Sequence, residues 1–143
     1  MRVVLDANVY VSSLVNTQGN PKRIISAWQQ GGFDILISSP ILDEIGRVLW
    51  YPRIARRHQQ DEGAIQRFLR LLQNEAILVA PTDLLSVVKE DESDNRYLEC
   101  AVAGKAGYLI SGDNHLLDIG DYRGIIILPP AAFVALLGSG GLV

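Results

Sequence analysis

Short apolar runs recur along the chain at Arg2–Leu5, Phe33–Ile37, Ala76–Val79, Tyr108–Ile110 and Ile125–Leu128, and none keeps a strict alternation of apolar and polar residues. Strands covered on both faces read this way, whereas a strand with one wet face alternates. Between the runs, apolar residues fall at helical spacing. One set is Ile24, Ile25 and Trp28, another is Ile41, Leu42, Ile45, Val48 and Leu49, and a third is Ile65, Phe68, Leu69 and Leu72. Asn20 before Pro21 predicts a capped helix start, and Gly31-Gly32 its end. Ser39-Pro40 starts the second helix and Pro52 ends it, while the third spans about Asp61–Gln73. Thr82–Ser93 reads as an acidic loop. Further helices are expected over Asp94–Lys105 and Ala131–Leu137. Helices alternating with doubly buried strands predict an α/β fold with a parallel sheet between helical layers. Right-handed crossovers then bring each helix start to the carboxyl edge of the sheet, where open sheets bind ligands.

That edge is where the chemistry collects. Asp6 closes the first apolar run, Glu44 lies in the early turns of the helix after the second, Asp94 opens a helix, and Asp113 follows the run Tyr108–Ile110. Taken singly, each has an ordinary reading. Asp6 and Asp94 suit helix caps, Glu44 a solvated helix position, and Asp113 a turn. If the strands are parallel, however, all four carboxylates meet at one place, and their mutual repulsion calls for a cation. Hard oxygen donors suit magnesium or manganese rather than zinc or copper. One or two such ions would serve phosphodiester hydrolysis by in-line displacement. Asn8 either orients a carboxylate or is a local turn amide. Between Asp43 and Glu44, the latter is the better candidate, since it sits between Leu42 and Ile45.

Composition narrows the partners less than the pattern does. The chain of 143 residues fits one domain, residues 1–137, with residues 138–143 as a flexible glycine-rich tail. A net charge of -3 gives no basic signature over the whole chain, and four acids in a metal site would account for the negative balance. The single cysteine, Cys100, excludes an internal disulfide and a cysteine-based zinc site. It reads as a small core residue in a reducing cytoplasm. Asp6 and Asn8 interrupt the first apolar run, so it is not a signal peptide. Pro129-Pro130 splits the uncharged stretch from Gly124 to Val143, which leaves too little helix to span a membrane.

Leu5-Asp6-Ala7-Asn8-Val9, Ser38–Ile45, Asp94–Ala101 and Ile110-Ser111-Gly112-Asp113, in that order and spacing, resemble PIN-domain proteins. Within that family the chain looks most like the toxin components of bacterial and archaeal toxin–antitoxin pairs related to VapC. The resemblance runs from Met1 to about Leu137. It implies a three-layer α/β/α sandwich around a parallel sheet of about five strands. It also implies a magnesium- or manganese-dependent ribonuclease, an antitoxin partner and a homodimer. By the same match Asp6, Glu44, Asp94 and Asp113 would be the metal-binding acids, Asn8 a supporting residue, and Ser111 the small hydroxyl ahead of the fourth acid. Asp91 and Asp118 are nearby acids able to assist. His115 has no assigned role and reads as an exposed loop histidine.

An RNA substrate needs a grip. From Arg47 to His58 the chain carries Arg47, Arg53, Arg56 and Arg57 without an acid, interleaved with Trp50 and Tyr51. Arginines and exposed aromatics together hold phosphates and stack bases. The same stretch also suits a solvated face, an oligomer contact or an antitoxin groove. Two other functions share the architecture. A receiver would want an acidic pair after the first strand and an aspartate after the third, where Asp6 stands alone and Val79-Ala80-Pro81 follows. A haloacid-dehalogenase-like phosphatase would want a second aspartate where Asn8 stands. A non-catalytic metal- or protein-binding module is the remaining alternative.

Overall fold

In the computed structural model, which describes residues 1–139, the first apolar run forms β1 (Arg2–Leu5) near the middle of the sheet. Val3, Val4 and Leu5 are all fully buried. Successive strand residues point to opposite faces, so both faces of the sheet are covered by helices, and the molecule is a three-layer α/β sandwich. After β1 come α1 (Ala7–Val15), α2 (Asn20–Gln29), β2 (Asp34–Ile37), α3 (Ser39–Leu49), α4 (Pro52–His58), α5 (Glu62–Glu75) and β3 (Ile77–Leu78). A 3₁₀ turn, Glu92–Asp94, leads into α6 (Asn95–Ala103), followed by β4 (Tyr108–Ile110), α7 (Asn114–Leu117), β5 (Asp121–Tyr122), β6 (Ile125–Leu128) and α8 (Pro130–Ser139).

The sheet runs β3-β2-β1-β4-β6-β5. Every pairing is parallel except β5 with β6. The expected five strands are therefore present, and a sixth of two residues is added by a hairpin. Strand order reverses between β1 and β4, and such a switch point opens a crevice at the carboxyl ends of the strands. Helix α6 packs across β1, β2 and β4, while α1 lies against α2 and α3 and α2 against α8.

Four details differ from the sequence reading. Helix α1 was not expected, because Val9, Tyr10, Val11, Leu14 and Val15 surround it with apolar side chains and leave no amphipathic period. Pro52 does end α3, but it also opens α4 as its first residue, a position that needs no N–H donor. The cap of α2 is Gly19 rather than Asn20, whose side chain instead accepts a hydrogen bond from Arg23 at 3.3 Å. Finally, Gly138 and Ser139 extend α8 rather than starting a tail, and the remainder of the expected tail lies outside the described residues. Buried His58 ties α4 to the end of α3. Its Nε2 donates to the Leu49 carbonyl at 2.9 Å and its Nδ1 accepts from the Gln60 N–H at 2.9 Å.

Candidate metal centre

The switch point is stitched by the residues just past β1 and β4. The register pairs Leu5 with Ile110, which sets Asp6 beside Ser111. The Asp6 N–H donates to the Ile110 carbonyl at 3.0 Å, and the Ser111 hydroxyl donates to Asp6 Oδ2 at 2.7 Å. Asp6 Oδ1 accepts the Asn8 N–H at 3.0 Å and so caps α1. Asp6 is therefore a helix cap that also faces Ser111 at the switch point, and capping does not take it away from the acid cluster. Asn8 contributes through its backbone, and its side chain is exposed.

Ser111 has a second duty. Its hydroxyl oxygen accepts the Asp113 N–H at 2.9 Å, which folds the Ser111-Gly112-Asp113 turn back toward Asp6. Asp113 in turn caps α7 by accepting the His115 N–H at 2.7 Å. Glu44 reaches the same neighbourhood from α3 and is held by Tyr97, whose hydroxyl donates to Glu44 Oε2 at 2.5 Å. The Tyr97 oxygen also accepts the Ala7 N–H at 3.1 Å. One fully buried tyrosine thus joins α6, α3 and the start of α1.

Asp94 differs from the other three. It stands at the N-cap position of α6 yet caps nothing with its side chain, so the simple capping role is excluded. Only 5% of the residue is exposed, and its buried Oδ2 has no hydrogen-bond partner. Burial, together with the close Asp113 carboxylate and the charges of Asp91 and Asp6, pushes its carboxyl from 3.8 up to about 8. Burial also raises Asp6, and Glu44 and Asp113 add to that, while the hydrogen bonds from Asn8 and Ser111 pull it down. The four acids feel one another electrostatically, but their packing is uneven. The tightest group of potential ligand atoms among the described residues is Asp94, Asp113 and His115, all within 4.8 Å of one another. The ring of His115 is about half exposed, with Nδ1 3.7 Å from Asp113 Oδ1.

This donor set fits a divalent cation. An ionised carboxylate oxygen that is buried without a donor is stable only with a proton or a positive ion on it. The carboxylates are hard oxygen donors of the kind divalent cations such as magnesium and manganese take, and the imidazole at the exposed rim is a softer donor beside them. Sequence reasoning set His115 aside and passed over Tyr97. His115 had a signal in its place two residues after Asp113, where a capped helix turns it back to the acid. Tyr97 had a signal one helical turn after Asp94. Asp91 adds negative charge beside Asp94 and otherwise binds Ser93, and Asp118 closes α7 without contacting the cluster.

The four arginines lie exposed along the end of α3 and on α4. Arg47 lines an open groove of about 760 Å³ with Leu42, Asp43, Gly46, Trp50 and Leu69, and Tyr51 completes it. Trp50 and Tyr51 are 48% and 51% exposed, unusually open for residues of their size and available for stacking. Cys100 is buried, and burial pushes its thiol up to about 12, which leaves it inert as a nucleophile.

Comparison with known proteins agrees with this architecture. Residues 2–115 match the family model described as PIN domain. An uncharacterized protein of Methanocaldococcus jannaschii, MJ1680, is 30% identical over 121 residues, 85% of this chain and 76% of the relative. Among solved structures, PAE2754 from Pyrobaculum aerophilum superposes with a TM-score of 0.64 at 20% identity, over 97% of this chain and 90% of that one. VapBC2 from Rickettsia felis, crystallised bound to a DNA fragment from their promoter, gives a TM-score of 0.54 at 14% identity, over 90% and 98%. At those identities the two structures speak for the fold. No helix among the described residues is long and apolar enough to cross a membrane.

Proposed function

The chain belongs to the PIN-domain family, and from that membership we propose that it is a magnesium- or manganese-dependent endoribonuclease, the cytoplasmic toxin of a toxin–antitoxin pair. The observation that carries the reading is Asp94, a buried carboxylate with an unpartnered oxygen, within 4.8 Å of Asp113 and His115. Asp6, Glu44, Asp94 and Asp113 would hold the cation, with His115 at the exposed rim. When bound, the cation polarises the scissile phosphate and lowers the pKa of an attacking water.

The chain's own groups do the positioning. Ser111 and the Asn8 N–H fix both oxygens of Asp6, and Tyr97 fixes Glu44. The carboxylates are therefore set before substrate arrives, and little reorganisation is left for the reaction. Arg47, Arg53, Arg56 and Arg57 bind the RNA backbone, with Trp50 and Tyr51 as stacking surfaces. An antitoxin that covered this surface would silence the enzyme, and a homodimer would place two clefts in one particle. Support for the antitoxin comes from the VapBC2 likeness alone.

The test is cleavage of mixed RNAs by purified protein in magnesium, manganese or chelator, beside Asp6→Asn and Asp113→Asn. Cleavage that needs the metal and is lost in both variants is expected. Manganese binding without cleavage would leave the non-catalytic module as the better reading, and equal cleavage in chelator would end the metal-dependent one.

A further inference from the structure

We propose that the amino edge of the sheet carries a second binding site, for a phosphate group, held by Lys105 and Arg123. The proposal is independent of the ribonuclease reading. Both residues line one cavity of about 260 Å³, bounded by the end of α6 (Ala101, Val102, Ala106) and the β5–β6 turn (Gly124, Ile125). Neither takes part in an ion pair among the described residues. The cavity lies at the opposite end of the strands from the acid cluster. With β4 only three residues long, the two ends are roughly 10 Å apart along the strand.

The backbone singles out the same two residues. Three non-glycine residues among those described have positive φ: Gln59, Lys105 and Arg123. Gln59 closes α4, where His58 and Gln60 hold the turn. Lys105 and Arg123, at φ 57° and 52°, are the other two, and they share the cavity. Lys105 follows the Gly104 cap of α6, with the Lys105 N–H bonded to the Val102 carbonyl and the Ala106 N–H to the Ala101 carbonyl. Glycine is the usual residue in that left-handed position. Arg123 is the first central residue of the two-residue turn between Tyr122 and Ile125, and Gly124 follows at φ 84°. Asparagine followed by glycine is the favoured pair there. At both places a long cation stands where a strain-free residue would fit, and such outliers concentrate at binding sites.

Simple structural duties do not account for the pair. A cation near the end of α6 offsets the helix dipole, but Arg2 already does so by donating to the Gly104 carbonyl at 3.0 Å. The Asp121 carboxylate, the nearest acid in the hairpin, is engaged by the Gly124 N–H at 3.1 Å and does not line the cavity. Arg123 lies over the Tyr122 ring, 5.1 Å from its centre, a contact that leaves the guanidinium's N–H groups free to donate. A lysine and an arginine, both exposed and lining one cavity, together match a phosphate, either free or in a nucleic-acid backbone.

The decisive variant is Lys105→Gly with Arg123→Asn, which removes both charges and relieves both backbones. Melting curves in chelator, with sodium phosphate titrated at constant ionic strength, should show a saturable rise for the wild type. In the double variant the melting temperature without phosphate should be higher by roughly 2–6 °C. Its phosphate affinity should be about tenfold or more weaker, the loss of charge-assisted hydrogen bonds. Lys105→Arg should keep the binding. A uridine oligomer that binds the wild type much more tightly than phosphate does, and loses that advantage in the double variant, identifies the source as a nucleic-acid strand. Equal affinities identify a free phosphate. Unchanged phosphate affinity in the double variant, or no saturable response in the wild type, would overturn the proposal.

Discussion

Replacing Asp94 with Asn should stabilise the metal-free protein, and the gain should depend on pH in a defined way. In the folded state Asp94 is pushed from 3.8 up to about 8. A carboxyl raised in the folded state lends stability that is fully present below 3.8, where it is protonated in both states. That stability declines as pH rises toward about 8, because the unfolded chain releases the proton first. The Asn variant carries no such proton, so its stability lacks this slope. Over the full interval the difference has an upper bound of roughly 5–6 kcal/mol, at about 1.4 kcal/mol per tenfold change in proton affinity. The neighbouring Asp113 and His115 are partly exposed, and solvent screening brings the figure to on the order of 2 kcal/mol. For a chain of this size that is about 4–8 °C in melting temperature. The assay is thermal melting of both proteins from pH 4 to 9 in chelator, repeated with manganese. The curves should coincide near pH 4 and separate with the variant higher by pH 8. Manganese should then raise the wild type more than the variant, because the ion binds the folded state through the carboxylate removed. A gap that stays constant with pH, or a wild type that is the more stable at pH 8 without metal, would refute the reasoning.

Tyr97→Phe should lower stability by about 1–3 kcal/mol, since the buried Ala7 N–H loses its acceptor, and should weaken manganese binding roughly tenfold by freeing Glu44. Melting curves and a manganese titration check both, and unchanged metal affinity would show that Glu44 is not held for the ion. Replacing Arg53, Arg56 and Arg57 with Ala should weaken RNA binding and flatten its salt dependence by about 2–3 in slope for three lost phosphate contacts. An unchanged slope would assign α4 to a protein partner instead.

The middle of the sheet was legible because Val3-Val4-Leu5 and Ile35-Leu36-Ile37 lack alternation, a consequence of being covered on both faces, while Ile77, Leu78 and Ile126 in the outer strands carry the same apolar run yet are exposed. The nearness of Asp6, Asp94 and Asp113 was legible because each stands at a strand end or a helix start, and a parallel sheet turns those places into neighbours; Glu44 lies mid-way along α3 and reaches them through Tyr97. What escaped the sequence were elements whose signal is cancelled by their surroundings. Helix α1 is buried nearly all round, so it shows no polar face. The β5–β6 hairpin turns on Arg123-Gly124, a poor match to the residues such turns prefer. Ser111 was named through the family resemblance, but the Tyr97–Glu44 hydrogen bond escaped, because the two residues lie 53 apart and only the fold brings them together.

The cluster is also asymmetric in a way that bears on where a cation would sit. Asp6 is satisfied by a hydroxyl and a backbone N–H, and Glu44 by a tyrosine hydroxyl, so both are oriented by neutral donors. Asp113 spends one oxygen on the His115 N–H. Asp94 alone among the four keeps a buried oxygen with no donor, and its carboxyl is pushed up to about 8. The electrostatic deficit is therefore concentrated between Asp94 and Asp113. On the proposed reading Asp94 and Asp113 would hold a cation there, and Asp6 and Glu44 would add charge without needing to move. The same deficit destabilises the metal-free protein. Tight metal binding and a strained metal-free protein then have one origin, and neither can be tuned without the other.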